Sequence, residues 1–238
     1  MTTPAFAAVI PVYNDRKALE HAIPVSLKYL SEITPDFELI IAEDGSTDGS
    51  AELVREYSIT DPRVRLLHSD ERLGRGRALN RAFRETPAPI VLYYDVDLAT
   101  GMGHLRELVS AIQEGHDIAT GSRLLPESRI RRTSGREFAS RGYNFLVRTV
   151  LRSRLHDHQC GFKSFRRERV LLIAEKVRER HWFWDTEILV RAQQKGYRIK
   201  EFPVHWEQGP GTTVRKSDVT GMGLSVLRLW WQLHVQKD

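Results

Sequence analysis

The sequence predicts an α/β fold in which a mostly parallel β-sheet is flanked by helices. Two observations support this class. Short β-branched apolar runs alternate with amphipathic stretches through the first half of the chain, and turns rich in aspartate and glycine follow several of the apolar runs. This alternation is typical of βαβ units, whose crossover helices cover a parallel sheet. Open sheets of this class bind ligands at the carboxyl ends of their strands, where the acidic turns are predicted to lie.

The predicted elements follow one another regularly up to about residue 122. Helical and strand periodicities of about 3.6 and 2 residues separate the two kinds of element. Apolar runs predict strands at Ala7–Val12, Phe37–Ala42, Val64–His68, Ile90–Tyr94 and Asp117–Thr120. Amphipathic stretches between them predict helices at Lys17–Leu30, Ser50–Ser58, Arg75–Arg84 and Met102–Glu114.

The second half of the chain departs from this alternation. Leu125–Gly135 is rich in Pro, Ser and Arg and predicts a mobile loop, followed by an amphipathic helix from about Arg136 to Arg152. A helix near Asp185–Lys195 and a strand at Ile199–Trp206 come next. The last segment, residues 219–238, has apolar residues at helical spacing, which predicts an amphipathic helix that either packs on the core or lies in a membrane interface.

Length and composition indicate one domain. The chain has 238 residues, 41% of them hydrophobic, and no linker or repeat divides it, so we expect a single domain over residues 1–238. No run of about 18 apolar residues occurs, and the N-terminus lacks the features of a secretory signal, so we expect a cytoplasmic chain that does not span a membrane. The single cysteine, Cys160, is expected to be a core residue rather than a nucleophile.

Positive charge is concentrated in one segment. The whole chain carries a net charge of +5, yet residues 123–169 contain 13 basic residues, mostly arginine, against four acidic ones. The first half is acidic by comparison, which indicates two sites of opposite sign. An anionic partner is expected at the basic segment: a phosphate-bearing lipid, a membrane surface or a nucleic acid.

Two acidic clusters follow predicted strands. Glu43, Asp44 and Asp48 lie in a glycine-containing turn, where carboxylates can face a base or ribose hydroxyls, although the same residues also fit a capped turn. Asp95 and Asp97 are expected on one side of a strand end, where both can reach one divalent cation that bridges a diphosphate. A polar strand terminus is the alternative for this pair.

Two further segments have weaker signals. The helix start at Gly74–Asn80 offers a phosphate contact, but it is not a G-x-G-x-x-G fingerprint, so a dinucleotide site is discounted. His156 and His158 flank Asp157 with a spacing that imitates a zinc site. A third and a fourth ligand are missing from the neighbouring sequence, so zinc is not favoured.

The order of these motifs resembles the family 2 glycosyltransferases, and among them the dolichyl-phosphate hexose synthases. The matching segments are Ile10–Asn14, Glu43–Gly49, Gly74–Asn80, Asp95–Leu98, Gly121–Arg123, Asp157–Lys163, Trp184–Glu187 and Phe202–Trp206. The resemblance covers nearly the whole chain. It implies a GT-A fold with a Rossmann-like sheet, an inverting reaction, a nucleotide-sugar donor and Mg²⁺ or Mn²⁺ held by the D-x-D motif.

The resemblance divides the chain into a nucleotide-sugar-binding half, residues 1–121, and an acceptor-binding half, residues 122–218. Its donor-binding positions are Pro11, Tyr13, Asn14, Glu43, Asp44, Asp48, Gly74, Arg75 and Asp95. Asp95 and Asp97 are implied as metal ligands. Mannose-transferring relatives often have a glutamine two residues after the second aspartate, whereas this chain has Ala99 and so lacks that third side-chain ligand.

The implied acceptor positions lie in the basic segment and near the C-terminus. They are Arg123, Arg136, Ser140 and, in a basic loop, Arg215 or Lys216. A phosphomonoester carries about −1.5 to −2 charge near neutral pH, and arginine binds its oxygens in pairs. Because such an oxygen is already a nucleophile, a general base is less necessary than for a sugar hydroxyl. Asp185 and Glu187 are implied to orient the sugar or assist transfer, with a structural role as the alternative.

These features predict a hexosyltransferase acting on dolichyl or polyprenyl phosphate as a peripheral protein on the cytoplasmic face of a membrane, with or without a membrane-anchoring subunit. Asp157–Phe165 and Arg131–Phe138 resemble the glucosyl branch, which favours UDP-glucose, and GDP-mannose is the alternative donor. Two interpretations of other classes are alternatives. One is a nucleic-acid-binding domain that uses the basic segment, but it leaves the carboxylate clusters unexplained, so no nucleic-acid partner is expected. The other is a non-catalytic relative that retains the fold.

Overall fold

The structure, a computed structural model, describes residues 3–131, 133–208 and 216–236, without the side chains of residues 134, 136 and 216–220. Its strands are β1 (Phe6–Val12), β2 (Phe37–Asp44), β3 (Val64–Ser69), β4 (Ile90–Tyr94), β5 (Ile118–Ser122), β6 (Arg129–Arg131), β7 (Phe162–Arg166), β8 (Ile199–Pro203) and β9 (His205–Glu207). Its helices are α1 (Arg16–Ser31), α2 (Ser50–Thr60), α3 (Arg75–Glu85), α4 (Leu105–Gln113), α5 (Ser134–Leu151), α6 (Arg167–Ala174), α7 (Trp184–Gln194) and α8 (Lys216–His234).

Within the described residues, seven strands form one sheet in the order β3-β2-β1-β4-β7-β5-β8. The pairs β3-β2, β2-β1, β1-β4 and β5-β8 are parallel, and β7 runs antiparallel to both of its neighbours. The predicted fold class, a mostly parallel sheet flanked by helices, is therefore confirmed. The carboxyl ends of β1, β2 and β4 meet at one edge, which is where the acidic turns lie.

The alternation of side chains along the central strand fills a core on each face of the sheet. Ala8 and Ile10 of β1 pack in the core that receives α1 and α4. Ala7 and Val9 pack in the opposite core, which receives α3, α6 and α7. Because both faces are covered, the strand is apolar throughout rather than alternating with polar residues, as expected for a parallel sheet.

The sequence does not predict strand β7 or helix α6. β7 inserts between β4 and β5, and α6 follows it directly. The segment carries Lys163 and Ser164, which do not resemble interior strand residues, yet both are fully buried. Their polar atoms have internal partners: Lys163 Nζ pairs with Asp185, and the Ser164 hydroxyl donates to the Leu108 carbonyl at 2.7 Å. Buried polar groups are tolerated when they are paired in this way.

A second sheet of two strands corrects two further predictions. The segment expected to be a loop, Leu125–Gly135, contains β6, which pairs in parallel with β9. The single strand expected at Ile199–Trp206 is two strands, because β8 continues the main sheet beside β5 whereas β9 leaves it after the buried Val204. This small sheet carries Trp206 to the edge of the main sheet where the acidic residues lie.

Helices α5 and α8 pack together in a third cluster. Tyr143 and Val147 of α5 meet Met222, Val226 and Leu229 of α8. The predicted C-terminal helix therefore does pack against the protein. Its opposite face leaves three large apolar side chains exposed, Leu224, Leu227 and Trp231, and Val235 is exposed just after the end of the helix. Over the described part of the chain, no helix has the length and apolar character needed to cross a membrane.

Candidate active site

The turns after β1 and β2 are joined through Asn14. Its backbone N–H donates to the Ser46 hydroxyl at 2.9 Å, and its side-chain oxygen accepts from the backbone N–H of Thr47 at 2.8 Å. Asn14 has a φ of +50°, a conformation that asparagine tolerates better than most residues. Asn14 thus fixes the relative position of two turns that the resemblance assigns to the nucleotide pocket.

The acidic residues of the β2 turn are engaged with the backbone around them. Glu43 is buried and contacts the Ser46 amide and His68 Nδ1. Asp44 accepts from the amides of Leu73 at 2.7 Å and Gly74 at 3.0 Å, and burial raises the pKa of its carboxyl. These contacts pin the 73–74 loop to the end of β2.

Asp48 stabilises the turn just before α2, whose N-cap residue is Gly49. One oxygen accepts from the Ser50 amide at 3.1 Å and the Ser50 hydroxyl at 2.6 Å, and the other from the Arg16 amide at 2.9 Å. Burial raises the pKa of Asp48, but these hydrogen bonds lower it by a larger amount, so the pKa is lowered overall. The capped-turn interpretation thus describes Asp48 in this structure, and its role toward a nucleotide stays a prediction.

Two other predicted nucleotide-pocket residues lie at the end of β1. Pro11 is in register with Ala42 of β2. Tyr13 is 40% exposed, and the Arg72 guanidinium lies 4.0 Å from its ring centroid. An exposed aromatic ring beside the carboxyl edge of the sheet is a suitable surface for stacking a base.

Asp95 and Asp97 lie in a turn rather than on a strand. β4 ends at Tyr94, and the Leu98 amide donates to the Asp95 carbonyl at 3.1 Å. Because neither residue lies on a strand, the strand alternation offered as the reason for placing both carboxylates on one side is wrong. Both residues line a small cleft, together with Tyr94, Leu98, Ala99, Thr100, Gly161 and Trp206.

Gly161 is required for the position of Asp95. A β-carbon at residue 161 would overlap the Asp95 carboxylate, and the Asp95 amide donates to the Gly161 carbonyl at 3.2 Å. The sequence placed Gly161 inside a motif without giving it a role. The reason for glycine here is close approach of a side chain, not a left-handed backbone.

A buried network of charges joins Asp95 to the interior. Arg75 Nη2 lies 2.7 Å from Asp95 Oδ1, and its Nη1 lies 2.6 Å from Asp185 Oδ2. Lys163 Nζ lies 2.9 Å from Asp185 Oδ1, which also contacts the Tyr93 hydroxyl. Burial raises the pKa of Asp185, but the Lys163 and Arg75 charges outweigh it and lower the pKa overall. Asp185 is therefore an ionised carboxylate with both oxygens in use.

Lys163 and Tyr93 were not identified from the sequence. The available signal for Lys163 was a single lysine within an apolar run, Gly161–Phe165, which indicates a buried charge that needs a partner. Glu187, the second acid of the Trp184–Glu187 motif, has a different role from Asp185. It accepts from Arg191 Nε at 2.8 Å and from the Glu179 amide at 3.0 Å, away from the Asp95 cleft.

The chemistry of the cleft fits a hard divalent cation in part. Asp95 and Asp97 supply carboxylate oxygens of the kind that Mg²⁺ and Mn²⁺ prefer. Desolvation and the neighbouring Asp95 raise the pKa of Asp97, as expected for a partly buried carboxylate beside a like charge. Among the residues that the structure describes, no three histidine, cysteine or acidic side chains are grouped for metal binding. Oxygens of a diphosphate and water would have to complete the coordination.

The predicted acceptor residue Arg123 is paired internally. Its Nε lies 2.7 Å from Asp157 Oδ2 and its Nη2 3.0 Å from Asp157 Oδ1. Its guanidinium carbon lies 5.7 Å from the ring centroid of Trp206. Trp206, which the sequence placed in a motif without a role, therefore lies near Arg123 and also lines the Asp95 cleft.

The other predicted acceptor residues are described less fully. The Ser140 hydroxyl is buried and has no hydrogen-bond partner among the described residues. Arg215 and the side chains of Arg136 and Lys216 lie outside the described residues. Their assignment to the acceptor stays a prediction.

The surroundings of Cys160, His156 and His158 bear on the roles of nucleophile and zinc ligand that were considered for them. Burial raises the pKa of the Cys160 thiol to about 12, so the thiolate that a nucleophile needs is disfavoured. His158 is buried, its ring nitrogens contact Asn144 and Ser153 at 2.7 Å each, and burial lowers its pKa to about 4. His156 Nδ1 contacts Glu201 at 2.8 Å.

Comparison with known proteins finds glycosyltransferases that are similar to this chain. Glycosyltransferase AglD of Haloferax volcanii is 47% identical over 234 residues, which are 97% of this chain and 38% of AglD. The chain thus spans well under half of that relative. The dolichyl-phosphate beta-glucosyltransferase ALG5C of Trichomonas vaginalis is 29% identical over 233 residues, covering 93% of this chain and 69% of that protein.

The fold is also that of solved glycosyltransferases. Glucosyl-3-phosphoglycerate synthase of Mycobacterium tuberculosis, solved with Mn²⁺, uridine diphosphate and glucosyl-3-phosphoglycerate, has a TM-score of 0.69 at 18% identity, covering 96% of this chain and 79% of its own. The predicted GT-A fold is confirmed. Residues 7–171, more than half of the chain, match the family described as glycosyl transferase family 2. The chain therefore belongs to glycosyl transferase family 2.

Proposed function

We propose that this glycosyltransferase moves a hexose, glucose in preference to mannose, from a nucleotide sugar to a dolichyl or other polyprenyl phosphate. The observation that carries the proposal is the position of Trp206. It lines the cleft of Asp95 and Asp97, and the Arg123 guanidinium lies near its ring. We propose that the metal-bound diphosphate lies at Asp95 and Asp97 and that the acceptor phosphate lies beside it, near Arg123.

The proposed reaction is a single displacement at the anomeric carbon. An oxygen of the acceptor phosphate forms the new bond to that carbon, while the bond from the carbon to the diphosphate oxygen breaks and the nucleoside diphosphate leaves. Mg²⁺ or Mn²⁺ bound at Asp95 and Asp97 would neutralise charge on the departing diphosphate. The residues of the chain would hold the two substrates in line, which lowers the barrier by fixing the reacting atoms close together.

The network around Asp185 supports a reaction without a carboxylate base. Both Asp185 oxygens are occupied by Arg75, Lys163 and Tyr93, and its charge is stabilised rather than available. A sugar-hydroxyl acceptor would need a base within hydrogen-bond reach of its proton. A phosphate acceptor removes that need, and we propose that Asp185 positions Arg75 and Lys163.

The preference for glucose rests on sequence segments and on names of relatives. Asp157–Phe165 and Arg131–Phe138 resemble the glucosyl branch, and the relative from Trichomonas vaginalis is named a dolichyl-phosphate beta-glucosyltransferase. Ala99, where mannosyl relatives often have glutamine, points the same way. GDP-mannose is the donor of the second candidate activity.

The proposed acceptor is a membrane lipid, and we propose that the chain works peripherally at the cytoplasmic face. The outer face of α8 supports a position at a membrane surface. Leu224, Leu227 and Trp231 are more than half exposed on one side of that helix, and the exposed Arg228, which pairs with Glu179 at 3.7 Å, lies beside them. Apolar and aromatic side chains beside a cation are the composition of helices that lie in a lipid interface.

Incubation of the purified chain with labelled nucleotide sugars and polyprenyl phosphate tests the activity. We expect Mn²⁺-dependent transfer of label from UDP-glucose into the organic-solvent extract. Asp97→Asn should abolish transfer, whereas Asp36→Asn, an exposed aspartate preceding β2, should retain it. Label from GDP-mannose alone would establish the second candidate, and labelling that needs neither metal nor lipid phosphate would overturn the proposal.

A further inference from the structure

Arg75 is bound to a carboxylate that the proposed function gives to a divalent cation. Its Nη2 lies 2.7 Å from Asp95 Oδ1, and its Nη1 lies 2.6 Å from Asp185 Oδ2. The Arg75 side chain is 12% exposed, so water screens these pairs only weakly. Asp95 therefore already has a cationic partner that belongs to the chain.

The two ends of this bridge differ in strength. The Asp185 side chain is 4% exposed and also binds the fully buried Lys163. The Asp95 side chain is 39% exposed and faces the cleft. Ion pairs weaken as one partner becomes exposed, so the contact with Asp95 is the one that can exchange.

The surroundings of Arg75 keep it in place when Asp95 is released. Its guanidinium carbon lies 4.9 Å from the Tyr93 ring centroid and 5.4 Å from that of Trp182. Its Nε is buried and has no hydrogen-bond acceptor among the described residues. An unpaired buried N–H carries a free-energy cost, so the guanidinium has a donor available for an anion that enters the site.

We propose that Arg75 is an internal counter-ion that competes with the divalent cation for Asp95, and that the diphosphate of the donor relieves this competition. The inference rests on the proposed metal site. The three carboxylates of Asp95, Asp97 and Asp185 outnumber the two cations, Arg75 and Lys163, by one. These five groups together therefore carry one net negative charge. A divalent cation alone reverses that sign, whereas a divalent cation with a doubly charged diphosphate restores it.

Metal and nucleotide therefore bind as a coupled pair. The cation binds weakly alone because it must displace Arg75 from Asp95 without an anion to receive the guanidinium. With the diphosphate present, Arg75 turns from one anion to another. Since coupling is reciprocal, the metal increases nucleotide affinity by the same factor that the nucleotide increases metal affinity.

Mn²⁺ binding, followed by the electron paramagnetic resonance signal of the free ion and corrected for the Mn²⁺ that UDP itself binds in solution, tests this without any transfer reaction. Wild type should bind Mn²⁺ at least about tenfold more tightly with saturating UDP than without it. Arg75→Gln should bind Mn²⁺ about tenfold more tightly than wild type when UDP is absent, because the competing charge is gone. The gain on adding UDP should shrink correspondingly.

Arg77→Gln is the matched control, since Arg77 is an exposed arginine of the same helix. It should bind Mn²⁺ as wild type does. Equal affinity of wild type and Arg75→Gln, both folded by circular dichroism, would overturn the role of Arg75. If Arg75→Gln does not fold, the measurement on wild type still tests the proposal. Equal Mn²⁺ affinity of wild type with and without UDP would overturn the proposed coupling. Absence of Mn²⁺ binding by wild type under either condition would remove the proposed metal site itself.

Discussion

The guanidinium of Arg123 forms a two-point ion pair with the fully buried carboxylate of Asp157, with N–O distances of 2.7 and 3.0 Å. The Arg123 amide also donates to Asp157, at 3.0 Å. The pair joins the end of β5 to the segment that precedes β7. A residue assigned to the acceptor phosphate is thus first a structural partner, and this has consequences for stability that are separate from catalysis.

Removing one member of that pair is expected to destabilise the fold strongly. Asp157→Asn leaves the Arg123 charge buried without its partner, which typically costs about 3–5 kcal/mol of unfolding free energy. Urea denaturation measures this. The control is Glu207→Gln, which breaks the exposed pair between Glu207 and Arg131 and should change the unfolding free energy by less than about 1 kcal/mol. Equal effects of the two substitutions would contradict the structural role of Asp157.

The same pair gives stability a pH dependence of predictable sign. Burial raises the pKa of Asp157, but Arg123 and backbone hydrogen bonds outweigh it and hold the pKa well below its usual value. Since the unfolded carboxyl titrates near about 4, the stabilisation is present in full above that pH and is lost as the pH falls below it. Wild type should therefore lose stability more steeply than Asp157→Asn between about pH 4 and pH 2, as followed by denaturant midpoints. Parallel curves would contradict this assignment.

Gly161→Ala tests the close approach at Asp95. The added methyl group would overlap the Asp95 carboxylate, so we expect Mn²⁺ binding and transfer to fall at least about tenfold. Gly142→Ala is the control, because a β-carbon there meets nothing within 4 Å and alanine favours a helix by about 0.5–1 kcal/mol. Normal Mn²⁺ affinity in folded Gly161→Ala would show that Asp95 does not need this position.

The site was predictable where sequence order alone brings residues together, and not where distant segments meet. Asp44 and Asp95 follow apolar runs, so the parallel sheet places them at one edge. Lys163 belongs to a strand that runs antiparallel within a mostly parallel sheet. Its buried charge is paired with Asp185, 22 residues later in the chain. Local periodicity contains no information about such a pairing, because it depends on which strand inserts beside β4.

The same limit applies to Trp206 and Arg123. The sequence assigned Arg123 to an anion because it begins a basic segment, but its pairing with Asp157 depends on a contact 34 residues away. Trp206 reaches the cleft only because β9 leaves the main sheet and pairs with β6, a three-residue strand inside a predicted loop. Strands this short have no clear period of two residues.

The outer face of α8 is expected to bind anionic vesicles. Leu227→Glu and Trp231→Glu should each weaken binding to vesicles of anionic phospholipid by about tenfold or more, because burial of such a side chain contributes about 1.5–3 kcal/mol. Ile59→Glu is the control, since Ile59 is 84% exposed on α2, which packs at the far edge of the sheet beside β3. Vesicle sedimentation measures the affinity.

Point substitutions are preferable here to deletion of the helix. Met222, Val226 and Leu229 of α8 are buried against α5, so deletion would expose a core cluster as well as remove the outer face. Unchanged vesicle binding by Leu227→Glu and Trp231→Glu, with Ile59→Glu also unchanged, would show that the exposed stripe is not a lipid contact.

Arg136 provides the cleanest separation of acceptor from donor. We assign it to the acceptor phosphate because it lies in the basic segment, far in sequence from Asp95 and Asp97. A charge-assisted hydrogen bond contributes roughly 1.5–3 kcal/mol, so Arg136→Ala should reduce kcat/KM for the lipid phosphate by about 10- to 150-fold. Arg136→Lys should restore only part of this loss, because an ammonium lacks the planar fork that binds two phosphate oxygens.

Arg136→Ala should change the affinity for the donor nucleotide very little. UDP affinity, measured by calorimetry with Mn²⁺ and without lipid, should stay within about threefold of wild type if the donor and acceptor sites are separate. Arg141→Ala controls for general loss of positive charge on α5, since Arg141 is exposed and paired with Glu137 on the same helix. If Arg136→Ala weakens UDP binding as much as acceptor use, Arg136 belongs to the diphosphate site, and the division of the chain into a donor half and an acceptor half is wrong.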